Sequence, residues 1–158
     1  MQEFDRSLRS NRRHLLIGLA GASFALVATS ILARPALATP QSAQELLAKL
    51  VKGTPKAGRV TIKAPEIAEN GNTVPLTLSV DSPMTATDYV KAVHVVTDGN
   101  PAPGVVSLHF GPLSGKAEAQ IRVRLATTEH VIAVAEMSDG SLWTATREIK
   151  VTIGGCGG

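Results

Sequence analysis

Glu118-Ala119-Gln120-Ile121-Arg122-Val123-Arg124-Leu125 places an apolar side chain at every second position, with charged or amide side chains between. Successive side chains of a strand point to opposite faces, so this stretch reads as a β-strand with one face in a core and the other in water. The same period extends outward from it. Val60 and Ile62 alternate with Thr61 and Lys63, and Val74, Leu76, Leu78 and Val80 alternate with Thr77 and Ser79. Runs 90–96 and 105–110 are denser in apolar residues and fit strands buried on both sides; 131–137 and 142–153 complete a set of about seven. Asp139-Gly140 suits a tight hairpin turn, and Asn70-Gly71, residues 98–104 and Gly111-Pro112 punctuate the rest. Short alternating strands separated by turn signals predict an all-β fold, an antiparallel β-sandwich of immunoglobulin-like type. One short helix precedes it. Ser42-Ala43-Gln44-Glu45 has capping-box spacing, and Leu46, Leu47, Leu50 and Val51 follow at helical intervals up to Gly53-Thr54-Pro55.

The chain has 158 residues, 44% apolar and 18% charged, enough for one domain with a packed core. Only five aromatic residues are present, Phe4, Phe24, Tyr89, Phe110 and Trp143, too few for stacking platforms on single-stranded nucleic acid. The formal charge of +3 is unevenly spread. Residues 1–38 hold five basic groups and two acidic ones; the remainder holds eleven of each. The basicity belongs to the leader, and the domain itself is neutral. Composition therefore gives no support to a nucleic-acid partner.

The leader reads Ser10-Asn11-Arg12-Arg13-His14-Leu15-Leu16, then an uncharged run over 15–33, then Ala36-Leu37-Ala38 as a cleavage signal before Thr39. The Arg12-Arg13 pair ahead of a weakly apolar, small-residue core resembles a twin-arginine export signal. Residues 1–38 are thus expected to be an export signal that is removed, leaving a protein that works in the periplasm without a membrane anchor. That route carries folded cargo, sometimes with a partner subunit bound, and nothing in the mature chain calls for a cofactor.

The chain ends Gly154-Gly155-Cys156-Gly157-Gly158, and Cys156 is its only cysteine. An intramolecular disulfide, a Cys-x-x-Cys redox pair and a multi-cysteine zinc site are excluded. A structural cysteine belongs in an apolar strand; this one lies among residues without Cβ atoms, in a tail of minimal bulk. The expected organisation is a carrier domain over 39–153 followed by a flexible arm over 154–158. From Ile153 an extended chain carries the sulfur roughly 10 Å outward. No fixed cation stands beside the thiol in the sequence, and the terminal carboxylate opposes ionisation, so its pKa is expected at or above ~8.5. An accessible, unactivated thiol suits a covalent handle rather than a self-contained enzyme. On this reading Gly155→Val slows loading by stiffening and widening the arm, with folding intact.

These features together resemble the SoxY family, the sulfur-carrier subunits of the periplasmic thiosulfate-oxidising Sox system. The resemblance rests on Gly154-Gly155-Cys156-Gly157-Gly158, on the twin-arginine leader, and on Asn72-Thr73-Val74-Pro75-Leu76 leading to Val80-Asp81-Ser82-Pro83-Met84. It implies an immunoglobulin-like sandwich paired with a SoxZ-like subunit as a heterodimer. It makes Cys156 the covalent attachment point and Gly154, Gly155, Gly157 and Gly158 the swinging arm. It implies a SoxAX-like haem enzyme that joins thiosulfate oxidatively to the sulfur. A SoxB-like enzyme then hydrolyses off sulfate, and a SoxCD-like enzyme oxidises the remaining sulfane sulfur. SoxZ-type subunits carry no leader, so co-export of a folded pair explains Arg12 and Arg13.

The alternative from the residues alone is a periplasmic copper-binding sandwich using His94, His109, His130, Met84 and Met137, although no pair has ligand spacing. Hydrolase signatures are absent, and Asp98 and Asp139 read as turn residues. A ubiquitin-like sulfur carrier shares the Gly-Gly ending but works in the cytoplasm and needs no tail cysteine. Trp143 and Tyr89 are expected in the core or at a subunit interface.

Overall fold

A computed structural model describes residues 38–155. Arg12, Arg13 and the rest of the leader through Leu37, and Cys156, Gly157 and Gly158, lie outside the described residues. The alternation over 118–125 does what its period dictates. Strand β7 (Ala117–Val123) turns Ala117 and Val123 into the core and Glu118, Gln120 and Arg122 outward. It pairs antiparallel with β4 (Val74–Val80), which pairs with β2 (Val60–Lys63), giving a three-stranded sheet ordered β2-β4-β7. Pro75 lies in the central strand opposite Arg122 of β7, outside the stretch Thr77–Val80 that β2 flanks.

The second sheet runs β1-β9-β8-β5-β6, from β1 (Lys56–Ala57), β9 (Leu142–Ile153), β8 (Glu129–Met137), β5 (Val90–Thr97) and β6 (Gly104–His109). A further strand, β3 (Ile67–Asn70), pairs with the far end of β9. The two sheets close as a β-sandwich over one core, to which Leu76, Leu78, Val93, Val95, Val131 and Ile149 contribute fully buried side chains. Burial of an aliphatic side chain of this size stabilises the fold by about 1.5–3 kcal/mol. The β8–β9 hairpin turns at Asp139-Gly140 as expected: Gly140 has φ 82°, and the Asp139 carboxylate accepts from the Ser141 N–H at 2.8 Å.

Three expectations are corrected. The described residues form nine strands rather than about seven, and the sandwich is not wholly antiparallel. Strands β1 and β3, too short to carry a readable alternation, lie parallel to β9 along one edge, against Trp143–Thr144 and Lys150–Ile153 respectively. Of the two runs expected to be buried on both faces, 90–96 and 105–110, only the first, in β5, is so buried. Strand β6 ends the sheet, pairs on one side alone and stays half exposed.

The helix also begins earlier than its capping signal suggests. Helix α1 spans Pro40–Leu50, and its N-cap is Thr39. Thr39 Oγ1 accepts from the Ser42 N–H at 3.2 Å, and the Thr39 N–H donates to Ser42 Oγ at 2.8 Å. Ser42 is therefore the third helical residue, returning the cap's bond where glutamate commonly does. Pro40 opens the helix because the first turn needs no N–H from it. The helix packs on the outer face of the second sheet, where Val51 meets Val134 and Leu142 beside Leu47 and Ile132. This cover accounts for much of the burial on the outer side of β5.

Candidate functional site

Strand β9 parts from β8 at the Glu129–Ile149 pair, yet its chain does not run free from there. Alternate residues find new partners. The Val151 N–H donates to Thr128 Oγ1 at 3.0 Å, the Ile153 carbonyl accepts from the Gly71 N–H at 2.7 Å, and the Gly155 N–H donates to the Leu125 carbonyl at 2.8 Å. The Leu125 N–H in turn donates to the Gly71 carbonyl at 2.8 Å. Two loops, the β3–β4 turn at Gly71 and the β7–β8 loop over 124–128, thus hold the chain as far as Gly155, one residue before Cys156.

The glycines are there because backbones meet. A Cβ on Gly154 would lie well under 3.0 Å from the Ala126 carbonyl oxygen, and one on Gly155 would overlap the Gly71 carbonyl and the Asn72 nitrogen. A Cβ on Gly71 would overlap the Leu125 carbonyl and lie 2.9 Å from the Gly155 nitrogen. Separations under 3.0 Å to backbone atoms cannot be relieved by a side-chain movement. Gly154 and Gly155, expected as part of a flexible arm, lie so close to other backbone segments that a Cβ at either position would clash. Asn70 shapes the turn between them, its Oδ1 accepting from the Asn72 N–H at 2.9 Å.

The 124–128 loop is fixed from behind. Leu125 is fully buried, and Glu129 is only 2% exposed. Glu129 Oε2 accepts from the Gly99 N–H at 2.9 Å and Oε1 from the Ala126 N–H at 3.1 Å. Asn100 completes the frame, its Oδ1 accepting from the Ala126 N–H at 2.8 Å and its Nδ2 donating to the Arg124 carbonyl at 2.9 Å. Neither residue carries a motif signal. The one readable hint was an acidic residue opening an apolar strand.

Burial pushes the Glu129 carboxyl above the ordinary glutamate range, against the opposing pull of the Gly99 and Ala126 N–H donors. A carboxyl raised in the folded state holds its proton longer there than in the unfolded chain, so stability falls as pH rises from the ordinary glutamate value through the folded one. Urea unfolding across acidic pH is expected to show this decline in wild type and its loss in Glu129→Gln, read as the difference between the two profiles.

The residues of the metal alternative are dispersed. His94 and His109 share a face of the second sheet with ring centroids 6.4 Å apart, and His94 Nδ1 lies 2.8 Å from Ser107 Oγ. Burial, then the neighbouring His109, lowers the His94 pKa. His130 pairs elsewhere with Asp98 at 2.9 Å, and Met84 and Met137 are buried in the core. Among the described residues no group of three or more His, Cys, Asp or Glu side chains is arranged to hold a metal ion. Trp143 packs at the core margin with the Arg59 guanidinium 5.3 Å from its ring centroid, and Tyr89 packs partly buried against the core.

Comparison with known proteins bears on the whole of this arrangement. The family model described as "Sulfur oxidation protein SoxY" matches residues 45–156, which includes both loops of the seat and the cysteine. The chain is similar to the solved sulfur carrier protein SoxY from Chlorobium limicola f thiosulfatophilum, with 33% identity and a TM-score of 0.61, covering 73% of this chain and 100% of that one. A superoxide reductase (neelaredoxin) from Ignicoccus hospitalis matches at 22% identity and a TM-score of 0.53, over 73% of this chain and 94% of its own, a likeness of fold alone. A search of curated proteins gave no match.

Proposed function

The chain belongs to the SoxY family of sulfur oxidation proteins, and from that membership we propose that it carries sulfur covalently on Cys156 during thiosulfate oxidation in the periplasm. The observation that carries this reading is the placement of the sole cysteine one residue beyond a backbone seat that ends at Gly155. Cys156 follows directly on the seated strand end and serves as a covalent handle, while the partner enzymes supply the catalytic groups.

The terminal sulfur of thiosulfate bonds to Cys156 Sγ as the thiol proton leaves and two electrons pass to a SoxAX-like oxidant. Water then displaces the sulfonate group as sulfate on a SoxB-like hydrolase, leaving a persulfide on Cys156. A SoxCD-like enzyme oxidises that sulfane sulfur. The thiolate is the reacting form, and its activation is assigned here to the enzyme that receives it. A SoxZ-like subunit is the partner for a heterodimer, exported together with this chain by the Arg12-Arg13 signal.

Intact mass of the periplasmic protein from cells supplied with thiosulfate tests the proposal. Sulfane or thiosulfonate adducts on a chain that begins near Thr39 are the expected result. An unmodified mass under turnover overturns it.

A further inference from the structure

Behind the seat lies a buried polar frame that the carrier chemistry does not itself require. Glu129 is nearly inaccessible, at a cost in desolvation that an apolar residue would avoid. Its two oxygens each accept from a loop N–H, Gly99 on one side and Ala126 on the other, and Asn100 spans from the Ala126 N–H to the Arg124 carbonyl. The residues so fixed are the ones that touch the end of the chain: Leu125 accepts from Gly155, and the Ala126 carbonyl faces Gly154 without room for a Cβ. Thr128 in the same loop accepts from Val151. The line of contact therefore runs from a buried carboxylate, through one hydrogen-bonded loop, to the residue preceding the cysteine.

From this geometry we infer that Glu129, with Asn100 and Thr128, is a positioning residue that acts through Gly155, fixing the root of the segment that bears Cys156 for the enzymes that load and unload it. The inference rests on the carrier reading for its purpose and on the hydrogen-bonded loop for its mechanism. Presentation matters because a reacting atom displaced by about 1 Å can lose about 10²-fold in rate. Glu129→Gln keeps the size of the side chain but turns one accepting oxygen into an NH₂ that faces an N–H. Thr128→Val removes a single acceptor at an exposed position with little change of shape.

The test reads the seat and the chemistry separately. Amide hydrogen exchange on the full mature chain follows the Gly155 N–H, and a nitroxide attached at Cys156 reports the motion of the thiol site. Both variants are expected to speed Gly155 exchange about tenfold, the effect of losing about one hydrogen bond. The label becomes more mobile, while the Val134 amide at the centre of the β5–β8 pairing is unchanged. Thr128→Ser, which restores the acceptor, returns both signals to wild type. Thiosulfate loading by the partner enzymes is expected to slow in step. Unchanged Gly155 exchange in a folded Glu129→Gln or Thr128→Val chain overturns the inference, as does unchanged loading in a variant whose Gly155 has become labile. A wild-type chain that takes up no sulfur removes the carrier reading instead, and the exchange response still decides whether the frame holds the seat. Should Glu129→Gln not fold, Thr128→Val carries the test alone.

Discussion

Replacing Cys156 by serine is expected to abolish sulfur loading completely while leaving thermal and urea unfolding of the domain unchanged. The step forms a sulfur–sulfur bond, and a hydroxyl oxygen offers neither the polarisable atom nor an accessible anion near neutral pH. No second thiol exists to substitute, since Cys156 is the only cysteine in the chain. The residue follows the last seated position, Gly155, and the core is built from residues of the described sandwich. Intact mass after incubation with thiosulfate and the partner enzymes measures the effect. Adducts of wild-type size on the serine variant would place the attachment elsewhere and remove the proposal.

The second large effect is expected from a side chain at the seat. Gly155→Val brings a Cβ onto the Gly71 carbonyl and the Asn72 nitrogen, and Gly154→Val brings one onto the Ala126 carbonyl. The Gly71 carbonyl accepts from the Leu125 N–H, the Asn72 N–H donates to Asn70, and Ala126 is held through its N–H by Asn100 and Glu129, so the end of the chain must leave its slot. Detachment loses the Gly155–Leu125 bond and strains the Gly71–Ile153 bond. The expected loss of stability is about 1–3 kcal/mol, with loading slowed about 10²-fold by misplacement of the thiol. Sequence reasoning alone attributes slower loading to a stiffer, wider arm and predicts unaltered stability. Urea unfolding separates the two causes: wild-type stability with slow loading indicates arm stiffness, and reduced stability with slow loading indicates the seat. Loading at the wild-type rate in both variants contradicts either.

Much of the fold was legible because it is written in a local period. The alternation at 118–125 and Val74–Val80 fixes which face of each strand is buried whatever the strand's neighbours, and Asp139-Gly140 marks a hairpin whose two strands adjoin in sequence. What escaped were features without a local signature. Strands β1 and β3 are too short for alternation and exist because the long edge of β9 offers them unpaired backbone groups. The denser apolar content of 105–110 pointed to two buried faces, but β6 has a free edge, a matter of its place in the sheet. The helix start was displaced because Thr39 and Ser42 cap each other in place of the Ser42–Glu45 pair.

The functional site divides the same way. From the residues alone came the division of charge between leader and domain, the solitary cysteine, and the glycines around it, since each is a matter of composition and order. Only the tertiary structure could say that Gly154 and Gly155 are packed against Gly71 and Ala126, or that Glu129 and Asn100 stand behind them. Those partners come from the β3–β4, β5–β6 and β7–β8 loops and the first residue of β8, remote from the terminus in sequence, and they meet because the sandwich closes there. A glycine required for freedom and a glycine required for close approach look identical in a sequence; the difference lies in what a Cβ would strike.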